Sequence, residues 1–573
     1  MIQQQPLMSP SAKLARLSAL FHVLVHTSDP FTATMLGVLG FDALVPDPSR
    51  EGSAATIAKI LMLESELVQI DPLTLNREDQ VNHAVLTQLA WGARSDLEHA
   101  LWETGASADG YSAPHAMMFM SVPNAPLNSG ADLIAYLQRL SDIPEFLRAI
   151  LARYLQAKSE GRLPTRVGVG QAMEQLTGHL SASIESDVFL SPKIFSDPEF
   201  TSERDCVVGI LTNAIRPAMQ ELLMGLTNEL LPFARSDEQV GIRFVPGGVA
   251  GYRAAVRRHT TTELSPEEIH QIGLERLVKL DKEWAELGSR VFGTRDVAEI
   301  RARLRSDPSL RFSQSSEILP AVTAALNRAE VVRDKWFPHY EIAECAIEEI
   351  NPIEAGNAAL AHYRPPSGDG SRAGAHCVLT TDPERRFLYE YEALAFHEST
   401  PGHHLQISVA QTLTHLPEYR RFLDAEVCGF VEGWGLYSER LADEMGLYTS
   451  DIARLGMFSF EALRACRLVV DTGIHYMGWS RQRAIDFMWE NTATTQNNVR
   501  NEIDRYISWP GQALAYLIGA IEIRRLRTLA EAELGAEFDI RSFHGVVLGN
   551  GAVPLGVLAG IVKNWITSRA KIN

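Results

Sequence analysis

The chain is short of the features that announce whole classes of protein. Its 573 residues hold five cysteines, Cys206, Cys345, Cys377, Cys428 and Cys466, and no C-x-x-C pair. That scatter excludes a zinc ribbon and a disulfide framework, and it suits a reducing compartment. Positive charge is also scarce: 53 Lys and Arg stand against 71 Asp and Glu, a formal net charge of −18. Neither a nucleic-acid backbone nor an anionic membrane is therefore an expected partner. No apolar run is long and uncharged enough to span a bilayer. Residues 1–27 lack a basic start followed by an apolar core and a small-residue cleavage site, since Ser18 and His22 interrupt their most apolar run. The expectation is no signal peptide and a cytoplasmic location.

What is there is a chain able to fill a large core, with 46% hydrophobic residues. Its length allows two or more ordinary domains or one two-lobed unit. Apolar periodicity predicts helices over 57–69, 77–93, 132–140, 144–156, 168–184 and 203–230. Residues 111–127, rich in Met, Pro and Asn, read as a loop crossing the core with His115 packed inside it. Paired glycines at Gly247-Gly248 mark a boundary, which gives an N-terminal helical lobe over 1–245 and a C-terminal lobe over 246–573. Residues 240–252 there read as a strand or loop. Ser265-Pro266-Glu267-Glu268 predicts a helix start: a Ser cap, Pro at the first position and acids in the first turn. Residues 340–350 and 361–380 carry β-type alternation around Pro365-Pro366-Ser367-Gly368-Asp369-Gly370, which predicts a hairpin or small sheet. The rest is helical, so the expected class is mainly α with one small sheet.

The chemistry concentrates in Leu394-Ala395-Phe396-His397-Glu398-Ser399-Thr400-Pro401-Gly402-His403-His404-Leu405-Gln406. A zinc-binding helix places two histidines four residues apart on one face. Here the fourth position after His397 is Pro401, and the histidines come six and seven residues on. On an unbroken helix His403 would lie roughly 120° off the face of His397, and His404 about 10 Å along the axis. Pro401 and Gly402 supply a remedy, a bulge at 400–402 that returns a later histidine to His397. His397 and one of His403 or His404 then give two ligands, and Glu398 is the natural base beside a bound water. Glu432, in an apolar glycine-rich setting, is the best third ligand, because an unpaired carboxylate there would be costly. Glu426 and Glu439 compete from more polar surroundings.

Four ordered blocks resemble bacterial proteins catalogued as domain of unknown function 885. They are the run from Glu392 to Gln406, Val431-Glu432-Gly433-Trp434-Gly435-Leu436-Tyr437, Val470-Asp471-Thr472-Gly473-Ile474-His475, and the run from Arg505 through Trp509-Pro510-Gly511-Gln512 to Tyr516. That family is similar to helical zinc peptidases of the angiotensin-converting-enzyme and oligopeptidase type, whose Gly-His-x-x-Gln is matched by Gly402 to Gln406. The resemblance implies a two-lobed helical fold with a deep central cleft, His397, His403 and Glu432 as zinc ligands, and short peptides as substrate. His475, Tyr506 and Tyr516 are the candidates to steady an oxyanion, with Asp471 placed to orient His475. Arg505 can match a substrate carboxylate, and Gln512 and Tyr363 are further substrate-binding candidates; residues 374–380 would offer an edge strand to a peptide. The expected activity is zinc-dependent hydrolysis of peptide or related amide bonds. Its rivals are action on a non-peptide amide or specialised metabolite, and a non-catalytic peptide-binding scaffold.

Overall fold

The structure, a computed structural model, describes residues 8–350, 359–367, 370, 372–422 and 427–570. It is mainly helical with one three-stranded sheet. Two compact units divide it, Met1–Ala234 with Thr414–Glu426, and Arg235–Leu413 with Val427–Asn573. Among the described residues, no helix is long and apolar enough to cross a membrane.

The first unit is built from helices that include Arg50–Leu67, Arg77–His99, Gly130–Ser159 and Arg166–Ser181. The two helices expected at 132–140 and 144–156 are one, running through Pro144, because Leu140, Ile143, Leu147 and Ile150 bury a continuous stripe across it. The loop expected at 111–127 is largely the helix Pro114–Ser121 and the short turn Val122–Asn124. Met118 and Phe119 from that segment join the core, and His115 is packed there with neither ring nitrogen bonded. The returning segment is tied in by Asn82, which accepts from Arg420 Nη1 at 2.8 Å and Tyr419 Oη at 2.9 Å.

In the second unit the helix start at Ser265 is a full capping box: Ser265 Oγ accepts from Glu268 N, and the Glu268 carboxylate accepts from Ser265 N. The strand or loop expected at 240–252 is instead a turn, Ile242–Phe244, followed by the helix Gly248–Thr260. The sheet has the order β1 (Ala346–Glu349), β3 (Ala375–Val378), β2 (Ala361–Arg364), with β1 parallel and β2 antiparallel to β3. Residues 375–378 therefore pair on both sides and cannot add a peptide strand; the edges are β1 and β2. Gly368 and Asp369 of the expected turn lie outside the described residues.

The centre of this unit is the helix Asp451–Thr472, buried without interruption from Leu455 to Thr472. Glu461, Arg464, Arg467 and Asp471 recur on it every three or four residues, so one stripe of charge runs through the interior. Such groups must be answered by partners. Glu461 accepts from Arg276 Nε at 2.8 Å, Arg524 Nη1 at 3.0 Å and Arg440 Nε. These arginines stand on Pro266–Phe292, Ala515–Leu534 and Cys428–Glu444, so one carboxylate pins four helices. Burial alone would raise its pKa, but Arg440, Arg524 and Arg276 hold it well below the ordinary carboxylate range. Its contribution is complete above the unfolded value, about 4.3, and fades only as acid protonates the folded carboxylate. Glu461→Gln should cost about 3–5 kcal/mol in urea denaturation at pH 7, by taking from Arg524 its carboxylate and leaving Arg276 and Arg440 to share Glu283. A loss under about 1 kcal/mol, the value of a surface pair, would contradict this reading.

Candidate metal centre

The histidine-rich stretch forms two helices, Leu388–Glu398 and His403–Thr412, with residues 399–402 turning between them. This is a fuller break than the bulge expected within one helix. Gly402 is what allows it: a Cβ there would lie 1.8 Å from the His397 carbonyl oxygen, so a bare Cα lets the second helix start against the last turn of the first. The rings of His397 and His403 meet edge to face, with centroids 4.7 Å apart. His404 is held elsewhere. Its Nε2 donates to Ala343 O at 2.9 Å and its Nδ1 accepts from Tyr363 Oη at 3.0 Å, while burial lowers its pKa to about 4.

The helix Cys428–Glu444 brings in the third group. Glu432 Oε2 lies 3.4 Å from His403 Nε2 and 3.7 Å from His397 Nε2. One ligand atom from each of the three residues falls within 4.8 Å of the others. Gly435, nearly one turn further, keeps the space open, since a Cβ there would sit 2.7 Å from His397 Cε1 and 3.0 Å from His403 Cε1. The glycine-rich surroundings of Glu432 also have a packing cause: Gly433 faces Gly519 of the helix Ala515–Leu534 at backbone contact.

Glu439, set aside in the sequence as more polar in its surroundings, is 1% exposed. Its Oε1 accepts from His397 Nδ1 at 2.8 Å, and Arg464 Nη2 stands 3.5 Å from that oxygen. The bond fixes the ring and turns the other nitrogen, Nε2, toward Glu432. The signal was in the spacing: seven residues after Glu432 is two turns along the same face. On the second histidine, Gln406 Oε1 is 3.4 Å from His403 Nδ1. Glu426 lies outside the described residues.

The cluster couples two buried imidazoles to two buried carboxylates. Burial disfavours charge on His403, yet the adjacent Glu432 carboxylate, with Glu398, raises its pKa to about 9. Burial would raise Glu432, but the two histidines hold it well below the ordinary value, and its buried Oε2 has no hydrogen-bond partner. Glu398 is 8% exposed, and no described side chain hydrogen-bonds it. Its pKa is raised by burial and by Glu432, against the lowering effect of both histidines. Two imidazole nitrogens and a carboxylate oxygen make a zinc donor set. Bonds of 2.0–2.1 Å to one ion would hold ligand atoms about 3.3 Å apart, close to the 3.4 and 3.7 Å that separate Glu432 Oε2 from the two imidazole nitrogens.

The other expected residues divide. His475 is fully buried with both nitrogens spent on backbone, Nδ1 accepting from Ile242 N at 3.1 Å and Nε2 donating to Tyr506 O at 2.9 Å. It has no donor to offer an oxyanion. Asp471, expected to orient it, accepts instead from Tyr252 Oη at 2.6 Å and Gly511 N at 3.2 Å. Tyr506 is buried, donating to Glu502 and accepting from Arg467 Nε at 2.7 Å. Tyr363 is engaged with His404. Tyr516 is the one brought to the cluster: its ring stacks on His397 with centroids 6.3 Å apart. Arg505 and Gln512 join it, with Arg505 Nη2 donating to Gln512 Oε1 at 2.9 Å and to Tyr516 Oη at 3.4 Å.

Known structures share this architecture. A candidate lipoprotein from Colwellia psychrerythraea aligns with a TM-score of 0.91 at 27% identity, over 98% of this chain and 100% of its own. A candidate lipoprotein of unknown function from Shewanella oneidensis aligns with a TM-score of 0.73 at 17% identity, over 96% of this chain and 99% of its own, which speaks to fold alone. No match was found among curated proteins. The family described as bacterial protein of unknown function, DUF885, matches residues 30–562, nearly the whole length, and the chain belongs to that family.

Proposed function

We propose that this chain is a zinc-dependent hydrolase of peptide or related amide bonds, acting on short peptides. The observation that carries the reading is the convergence of His397 Nε2, His403 Nε2 and Glu432 Oε2, with the unbonded Glu398 carboxylate next to His397 in the chain. The likeness to helical zinc peptidases is part of this proposal. A zinc ion held by the three residues would polarise the substrate carbonyl and acidify a water. Glu398 would accept a proton from the attacking water and pass it to the amine nitrogen that leaves as the C–N bond breaks. Glu439 keeps the His397 ring in place through Nδ1. Burial raises the Tyr516 pKa, so the phenol stays protonated and can donate to the developing oxyanion.

Compartment belongs to the proposal as well. Scattered thiols favour the cytoplasm, whereas the likeness to a candidate lipoprotein from Colwellia psychrerythraea favours the envelope. Cell fractionation separates the two.

The direct test is hydrolysis of a pool of short peptides by zinc-reconstituted protein. Glu398→Gln should lower turnover by roughly 10²–10⁴-fold while zinc content is unchanged. A wild-type protein that holds zinc yet cleaves nothing would overturn the reading.

A second test uses pH. In the metal-free protein His403 titrates near 9, above an unfolded value of about 6.5. Its contribution to stability is complete below 6.5 and is lost as pH rises toward 9. The unprotonated ring alone can coordinate a metal, so affinity rises over the same interval. The increase in Tm produced by zinc should therefore grow from pH 6.5 to 9, with protons released on binding at pH 7. A zinc-induced shift that is flat across this window would remove His403 from the ligand set.

A further inference from the structure

The two histidines of the cluster stand on separate helices, so residues 399–402 between them set how far apart the rings lie. All four residues are buried, with Ser399 at 0% and Thr400 at 2% exposure. Polar groups at that depth need partners. Three different elements supply them. Ser399 Oγ is 3.1 Å from His376 Nδ1 on β3. Pro401 O accepts from Trp434 Nε1 at 2.9 Å, and Trp434 is two residues beyond Glu432 on the same helix. Thr400 Oγ1 donates to Glu330 Oε1 at 2.7 Å, on the helix Ile318–Trp336. The three ties differ in what else they do. His376 and Trp434 are fully buried, so both also fill the core. The Glu330 side chain is 44% exposed, and its second oxygen accepts from Arg333 Nη1 at 2.7 Å. Its own burial does not call for a further partner; the bond answers the buried Thr400 hydroxyl.

We propose that Glu330 is a positioning residue of the candidate metal centre, acting through Thr400 on the spacing of His397 and His403. The inference rests on the zinc reading of that cluster. A hydrogen bond to a carboxylate is shorter and stronger than one between neutral groups, so it holds a turn more firmly. Without that acceptor, a buried threonine hydroxyl turns back to a carbonyl of the preceding helical turn. Residues 399–402 would then move, and His403, the first residue of the next helix, would move with them. Zinc takes nitrogen donors near 2.0–2.1 Å, so a displaced imidazole is a weaker ligand. Outer partners of metal ligands change affinity by about 10–100-fold, and Glu330, one link further out, belongs at the lower end of that range.

The test compares zinc affinity, by competition with a chelating dye, in the wild type, Glu330→Ala, Glu330→Gln, Thr400→Val and the double variant Glu330→Ala/Thr400→Val. Glu330→Ala and Thr400→Val should each weaken zinc about tenfold. Glu330→Gln keeps an oxygen acceptor and should recover most of the affinity. The double variant should bind no more weakly than either single one, since both remove the same bond. Cobalt in place of zinc gives a second readout, because its visible absorption follows ligand geometry; the spectrum should change in Glu330→Ala and not in Glu330→Gln. Wild-type affinity in Glu330→Ala, equal losses in Glu330→Ala and Glu330→Gln, or losses that add in the double variant would each overturn the proposal. Should Glu330→Ala fail to fold, Thr400→Val against Thr400→Ser, which keeps the hydroxyl, decides the same question, and equal affinity there overturns it. A wild type that takes up no zinc would defeat the metal reading and this inference with it. Zinc bound equally by the wild type and Glu330→Ala would defeat this inference alone. Zinc bound without peptide cleavage would defeat the hydrolase and leave the positioning role standing.

Discussion

An ionisable group taken out of water has to be answered at close range, and the helix Asp451–Thr472 carries four of them through the interior of the second unit. Three of the answers build part of the candidate site. Arg464 meets Glu439, which holds the His397 ring. Arg467 meets Glu502 and Tyr506 and lies over Tyr516. Asp471 takes Tyr252 and the Gly511 amide, fixing the turn that precedes Gln512. The groups around the candidate metal centre are therefore held by the same pairings that make this helix buriable.

The cluster itself depends on close approach of backbones. Gly402 lets His403–Thr412 begin against the carbonyl of His397, Gly435 leaves room for two imidazoles, and Gly433 with Gly519 brings two helices to contact. The outcome is a histidine pair that an unbroken helix with a six-residue spacing could not make. Glu398, next in chain to the first histidine, has a carboxylate that no described side chain hydrogen-bonds, with a pKa raised by burial and by Glu432.

Much of this was legible in residues that act locally. The Ser265 capping box, the helical periodicities and the break signalled by Pro401-Gly402 are encoded within a few positions of where they act. The site residues that failed to converge were those judged by their neighbours in sequence. His475 has an aspartate four residues before it, a good orienting pair on paper. Its two nitrogens are taken by Ile242 and Tyr506, which no local pattern reveals. Glu439 has polar neighbours whose side chains turn inward to buried partners, and Pro144 suits the start of a new helix where a buried stripe carries a single helix through. The return of Thr414–Glu426 to the first unit likewise rests on contacts distant in sequence, such as Arg420 with Asn82.

The claim on which the account turns is that His397, His403 and Glu432 form one metal site. Elemental analysis after zinc reconstitution tests it on the wild type, Glu432→Ala and His404→Phe. The account predicts about one zinc per chain in the wild type and in His404→Phe, with its loss in Glu432→Ala. A wild type that takes up no zinc, or a Glu432→Ala protein that retains it fully, would contradict the account.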